Sequence, residues 1–186
     1  MAGFDDKIAV VTGAADGLGR AASVMLAARG TRVLLVDIDA DRLTAAEKQI
    51  IDAGGQARAH LADVTDAAQV RGYVEAALDT FGPIDVFFNN AGIQGPVVRI
   101  TEFPEDGFDQ VIAVNLRGVF LGLKYVLPGM VERGEGSVVN TAQRCPWMAG
   151  SPPRSIRRSM RRRSSEDQRD VGGAPERWPR RSSSDY

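Results

Sequence analysis

The sequence predicts an α/β fold, a doubly wound parallel sheet with helices on both faces. Two observations lead there. Short aliphatic runs such as KIAVVT (Lys7–Thr12) and RVLLVD (Arg32–Asp37) are apolar almost throughout, as strands covered on both faces are, and do not alternate with polar residues. Between such runs lie helix-like stretches of ten or more residues, long enough for the crossovers that parallel strands need.

Taken in order, Lys7–Thr12 is the first strand and a helix follows over about Gly17–Arg29, closed by Gly30 as a C-cap. The second strand is Arg32–Asp37. Its helix covers about Asp41–Ala53 and stops at Gly54-Gly55. Gln56–Leu61 makes a third, weaker strand, followed by a helix over about Asp66–Phe81. Ile84–Asn89 (IDVFFN) is a buried fourth strand. A single long helix is expected over about Glu105–Glu132, with Val111, Val114, Phe120 and Leu121 among its apolar positions and Pro128 near its end. Ser137–Thr141 is the fifth strand, and the alternation stops there.

Composition divides the chain at the same place. Residues 1–143 carry 12 basic and 19 acidic side chains, whereas residues 144–186 carry 11 arginines against 5 acids, so the overall charge of −1 conceals a basic tail. Apolar residues in 144–186 are too sparse for a strand or an amphipathic helix, which predicts a disordered, Arg/Ser/Pro-rich tail after a globular domain at 1–143. With 44% hydrophobic residues the chain can furnish one ordinary core. Cys145 is the single cysteine and excludes an internal disulfide. The first strand follows the N-terminus without a basic-then-apolar leader, and no continuous apolar run approaches the roughly 20 residues of a membrane span. A soluble, cytoplasmic protein is therefore expected, with no membrane partner and no metal site.

The first chemical signal is TGAADGLG at Thr12–Gly19. Glycines at such a strand-to-helix turn permit a tight bend and let the backbone approach a pyrophosphate, while the helix start supplies free N–H donors and partial positive charge. Asp37, some 20 residues on, is placed to accept hydrogen bonds from ribose hydroxyls and to repel a 2′-phosphate, which favours NAD over NADP. The alternative for Asp37 is a cap on the following turn, with Asp39 and Asp41 crowding the same loop. Asp16 suits a helix N-cap but would also repel a neighbouring pyrophosphate, so modest cofactor affinity is expected.

TGAADGLG, Asp63-Val64, NNAG at Asn89–Gly92, Asn115 within AVNLRGVF, and GSVVNTA up to Ala142 together resemble the short-chain dehydrogenase/reductase family over about residues 5–142. The resemblance implies a Rossmann-type sheet, a nicotinamide cofactor, and hydride exchange between that cofactor and a small-molecule alcohol or ketone. It also implies that Gly13, Gly17, Leu18 and Gly19, beside Asp16, sit at the pyrophosphate, and that Asp37 and Ile38 lie at the adenosine ribose. Asp63 and Val64 would border the adenine, and Asn90, Ala91 and Gly92 would line the cofactor pocket.

The same family protonates its alkoxide with a tyrosine, supported by a lysine four residues later, a serine after the fifth strand and an asparagine in the long helix. A positioned acid of this kind is typically worth about 10²–10⁴-fold in rate. Asn115 matches; the serine position is Gln143. Lysines occur at 7, 48 and 124 and nowhere after, so no Tyr-x-x-x-Lys motif follows the fifth strand within the 186 residues. Tyr125 reads as a packing residue of the long helix, and His60, the one histidine, as a structural or surface residue.

The genetic code offers an account of the loss. If Tyr-Ala-Ala-Ser-Lys were encoded TAT GCG GCG TCG AAG, reading it one base late would give a codon ending in T followed by ATG CGG CGT CGA AG. That translates as Ser-Met-Arg-Arg-Arg-Ser, the run Ser159–Ser164. Gln143-Arg144-Cys145 would likewise arise from AGC GTT GCC, Ser-Val-Ala, if one extra base preceded it. The two shifts differ, so a second frame change must lie between them. On this reading the Rossmann-type fold is truncated after its fifth strand, the tail is frameshifted, catalysis is impaired, and the family's homo-oligomer is disrupted. The competing reading is a non-enzymatic dinucleotide-binding module whose basic tail contacts an acidic partner or nucleic acid; nucleic acid is the less expected of these partners.

Overall fold

The structure, a computed structural model, describes residues 3–141; the tail expected at 144–186 and Gln143 lie outside the described residues. Five strands form one sheet: β1 (Ile8–Thr12), β2 (Arg32–Asp37), β3 (Gln56–Leu61), β4 (Val86–Asn89) and β5 (Ser137–Asn140). Their order is β3-β2-β1-β4-β5, and every neighbouring pair is parallel. The connections are α1 (Gly17–Ala27), α2 (Ala40–Asp52), α3 (Ala67–Thr80), and a long helical stretch containing α4 (Glu105–Ile112) and α5 (Val119–Arg133). This is the expected doubly wound, Rossmann-type α/β arrangement.

Strand parity builds the two cores. Val10, Leu34, Val36 and Phe87 project to one face and pack with Val70, Tyr73, Val74 and Ala77 of α3 and with Leu121, Val126 and Met130 of α5. Ala9, Val11, Val33 and Leu35 project to the other face, where Ala27 of α1 and Leu43, Ala46 and Ile50 of α2 cover them. Burying both faces explains why the central strands are apolar at nearly every position. Burial also pushes the Tyr73 hydroxyl well above the usual tyrosine range.

Helix starts follow local chemistry. Asp16, Asp39 and Asp66 are the N-caps of α1, α2 and α3, each carboxylate accepting a backbone N–H from the first turn. The Ala68 N–H, followed by the Gln69 side chain and backbone, holds the Asp66 carboxyl below the usual carboxylate range. Helix ends differ slightly from expectation: α1 closes at Ala28, and Gly30, with φ +83°, forms the turn beyond it.

The long helix expected over Glu105–Glu132 is present, running from Glu105 to Arg133 with an irregular turn inside it. Residues Ala113–Gly118 form a π-helical turn between α4 and α5. Asn115 lies in it, and its side chain is bonded to the Ile93 backbone, an attachment that local periodicity could not reveal. Phe120, counted among the helix's apolar positions, is 59% exposed and does not face the sheet. No continuous apolar run reaches the length of a membrane span, yet one helix passes on mean hydropathy. Glu105–Arg133, 29 residues with mean hydropathy 1.4 in its most apolar stretch, is long and apolar enough by length and composition alone. Its inner residues nevertheless pack on β4 and α3 as those of a core helix do.

Candidate functional site

The site is a cleft at the C-terminal ends of β1, β2 and β4. Strand order reverses beside β1, since β2 and β3 lie to one side and β4 and β5 to the other, and this is where open α/β sheets leave a crevice. Thr12, fully buried at the end of β1, organises the centre. Its Oγ1 accepts the N–H of Asn90 at 2.9 Å and of Ala91 at 3.0 Å. Asn90 returns the contact, its Nδ2 donating to the carbonyls of Thr12 at 3.1 Å and Gly13 at 3.4 Å. Two loops almost 80 residues apart in sequence are thus held edge to edge.

Glycine is required at two points of this clamp. A Cβ on Gly19 would overlap the Gly13 carbonyl oxygen and stand 2.8 Å from Asn90 Nδ2. Gly13 has φ +66°, and a Cβ there would lie 2.9 Å from the same Nδ2. The glycine loop therefore lies flush against the NNAG turn. At the start of α1, Asp16 accepts the Gly17 N–H and the Arg20 N–H goes to the Asp16 carbonyl, leaving Leu18 and Gly19 N–H without an intrahelical acceptor.

Asp37 fulfils the capping role that the sequence left open. One carboxylate oxygen accepts the Ala15 N–H at 3.0 Å, and the other accepts those of Ile38 at 2.8 Å and Asp39 at 3.1 Å. A carboxylate offers about four acceptor positions, so capacity for one further donor remains, and Asp37 still lines the cleft. Asp16 also has a partner the sequence did not disclose, Arg42 Nη1, 3.3 Å from its Oδ2. Asp63 turns its carboxylate onto the Thr65 N–H at 2.8 Å, shaping the loop that presents Val64.

Two cavities open here. One, of about 710 Å³, is lined by Gly13, Asp16, Gly17, Leu18, Asn90 and Asn115 among others. A second, of about 560 Å³, includes Ile38, Asp63 and Val64, and the two share Gly13, Asp37, Ala91 and Gly92. Of the described residues that the sequence assigned to the cofactor or to catalysis, Gly19 alone does not line either cavity; it packs beneath the loop. Asn115 Oδ1 accepts the Ile93 N–H and its Nδ2 donates to the Ile93 carbonyl, both at 2.8 Å, fixing the far wall.

Sequence reasoning did not assign roles to Thr12, Asn89 or Thr141. Asn89 bridges the Val119 carbonyl and Asn140 Oδ1, and Thr141 Oγ1 donates to Asn90. A polar residue closing an otherwise apolar strand was the available signal for Thr12 and Asn89. Tyr125 lies on the other side of α5, its hydroxyl accepting from Arg71 at 3.0 Å, and His60 sits on β3 away from the cleft.

The cradle fits a dinucleotide: the backbone is exposed where side chains have no room, the helix start has spare donors, and a carboxylate stands at the end of β2. Comparison with known proteins agrees. A model of the short chain dehydrogenase family matches residues 7–145. Levodione reductase of Leifsonia aquatica is 47% identical over 141 residues, covering 75% of this chain and 53% of that protein. Among solved structures, NAD⁺-bound xylitol dehydrogenase aligns with TM-score 0.74 and 38% identity, over 81% of this chain and 57% of its own. A metagenomic short-chain oxidoreductase in complex with NADP aligns with TM-score 0.72 and 32% identity, over 81% and 66%. The chain spans about half the length of the curated relatives it matches. Cradle, sheet order and sequence agree that this chain belongs to the short-chain dehydrogenase/reductase family of oxidoreductases.

Proposed function

We propose that the cleft binds NAD in preference to NADP, and that the 186-residue chain does not complete the family's chemistry. The observation that carries the binding half is the clamp of Thr12 and Asn90, which holds the glycine loop open onto the cavity. In this reading the Leu18 and Gly19 N–H groups receive the pyrophosphate and Asp37 takes a ribose hydroxyl. Asp63, Val64 and Ile38 border the adenine side, and Asn90, Ala91, Gly92 and Asn115 form the nicotinamide side. A bound nicotinamide supplies or accepts hydride, with a small-molecule alcohol or ketone as the partner in intact relatives.

The second half rests on proton supply. Asn115 is present, Gln143 stands where the family has serine, and no tyrosine-x-x-x-lysine follows β5 within these 186 residues. The frameshift arithmetic at Ser159–Ser164 accounts for that gap. Loss of the family's homo-oligomer belongs to the same reading, as does a soluble, cytoplasmic location.

The test is titration of the mass-verified chain with NADH, followed by nucleotide fluorescence, and then an absorbance assay with a panel of ketones. Saturable binding with no turnover above background is expected. Absence of binding would remove the cradle reading, and ketone reduction by this polypeptide would remove the catalytic one. Sequencing genomic DNA and transcript across codons 135–190 tests the frame: one intact frame, with tail peptides detected, would refute the shift. The basic tail, with 11 arginines against 5 acids, keeps a second reading open. A salt-sensitive gel shift of RNA or DNA, lost on deletion of 144–186, would support it.

A further inference from the structure

We infer that Asp16-Gly17 is a site of covalent self-modification: the Gly17 nitrogen closes on the Asp16 side chain to a cyclic imide, whose reopening leaves an isoaspartyl bond inside the glycine loop. The isomerisation follows from local geometry alone. Its effect on the cleft rests on the proposed reading of the cleft as a nucleotide site.

Asp16 Oδ1 lies 2.7 Å from the Gly17 nitrogen, so the carboxyl carbon stands beside the atom that attacks it. Asp16 precedes α1 with an extended backbone, φ −150° and ψ 176°, and Gly17, at φ +53°, has open space where a Cβ would stand. The Gly17 N–H is the first of α1 and has no carbonyl partner within the helix, so closing the ring breaks no helical hydrogen bond. Arg42 Nη1 holds the other Asp16 oxygen at 3.3 Å. Both side chains are more than half exposed and such pairs are weak, which leaves the carboxyl group free to turn its carbon toward the nitrogen.

The sequence has one other Asp-Gly pair, Asp106-Gly107, and it supplies an internal control. There too the carboxylate meets the next nitrogen, at 2.8 Å. Asp106, however, lies in the first turn of α4, where the ring would disrupt the helix, and Phe103, Pro96 and Pro104 stand 3.6 to 3.8 Å from the Cβ position of Gly107.

The step needs no co-reactant but water. A bond forms from the Gly17 nitrogen to Asp16 Cγ, a carboxyl C–O bond breaks, and the amide proton leaves with the hydroxyl as water. Water adding back at Cγ restores aspartate. Adding at the backbone carbonyl carbon instead, it routes the main chain through Cβ and Cγ, one methylene longer. The loop has no slack for that: a Cβ on Gly19 would already overlap the Gly13 carbonyl oxygen, and Gly13 is held by Asn90.

The experiment incubates the full chain at neutral pH and physiological temperature, maps the Asp16 and Asp106 peptides by electron-transfer mass spectrometry, and titrates NADH by fluorescence at each time point. Isoaspartate is expected to accumulate at Asp16 ahead of Asp106. NADH-binding capacity should fall by one site per isoaspartate formed, while the remaining molecules keep their dissociation constant. D16S retains a capping hydroxyl and cannot form the imide, so it should hold its own starting capacity over the same period; D106S should lose capacity as the parent does. Thermal melts check both variants, and the peptide map of the unsubstituted chain decides by itself should D16S fail to fold. An Asp16 peptide that stays unmodified, or isomerises no faster than Asp106, would overturn the inference, as would a loss in D16S equal to the parent's. A chain that binds no NADH at the outset removes the nucleotide reading, and the Asp16 peptide then still tests the isomerisation.

Discussion

The two flanks of the sheet differ in how fully they satisfy themselves. On the β1–β2–β3 side, α1 and α2 cover one face and α3 the other, and the loops at the strand ends are tied by Thr12, Asn90 and Asp37. On the β4–β5 side, α5 covers one face, while Val86 and Phe88 on the opposite face are only partly buried and Val139 is 51% exposed. The outer surface of the long helix likewise shows Leu116 at 62%, Phe120 at 59% and Val131 at 75% exposure. The first flank is limited by precise contacts. The second is limited by uncovered apolar area, of the kind that monomeric proteins seldom leave contiguous.

If that contrast is right, small changes on the first flank should cost most. Gly19→Val forces a side chain into the Gly13 carbonyl and is expected to destabilise the fold by about 3 kcal/mol and abolish NADH binding. Urea denaturation and nucleotide fluorescence check it, and near-normal binding would show that the loop is not clamped. Thr12→Val keeps the shape but removes the acceptor of two N–H groups, at an expected cost of about 2 kcal/mol in the same melts.

On the second flank, charge should help. Phe120→Lys with Val131→Lys is expected to change unfolding free energy by no more than about 0.5 kcal/mol, while lowering light scattering and dye binding. A loss comparable to Thr12→Val would show that these side chains pack inside the molecule. The smallest effect belongs to His60, half-buried on the outer strand β3, where desolvation holds its imidazole below the ordinary 6.5. The unfolded chain therefore takes up this proton more readily than the folded one. The resulting stability is complete above pH 6.5 and declines as pH falls through the lowered folded value. His60→Gln should flatten the pH dependence of the melting temperature across that range.

What could be read from the sequence followed from neighbours in the chain. Apolar runs marked the strands, aspartates marked the helix starts at Asp16 and Asp66, and the glycine spacing placed Gly13, Gly17 and Gly19 at one turn, whereas Asp39, read as a loop residue before a helix from Asp41, is the N-cap of α2. Asp37 was legible as a cleft residue, but its three backbone partners were not.

The sequence by itself determined the parallel α/β sheet and the glycine cradle, because local period and φ-permissive residues are written residue by residue. Only the tertiary structure decided that Thr12 clamps Asn90 across 78 positions, that Asn115, within a π turn, bonds to the Ile93 backbone, and that Arg42 pairs with Asp16. Those pairings depend on which strand ends lie side by side, and hydrogen-bond partners so distant in the chain leave no periodic trace in the sequence.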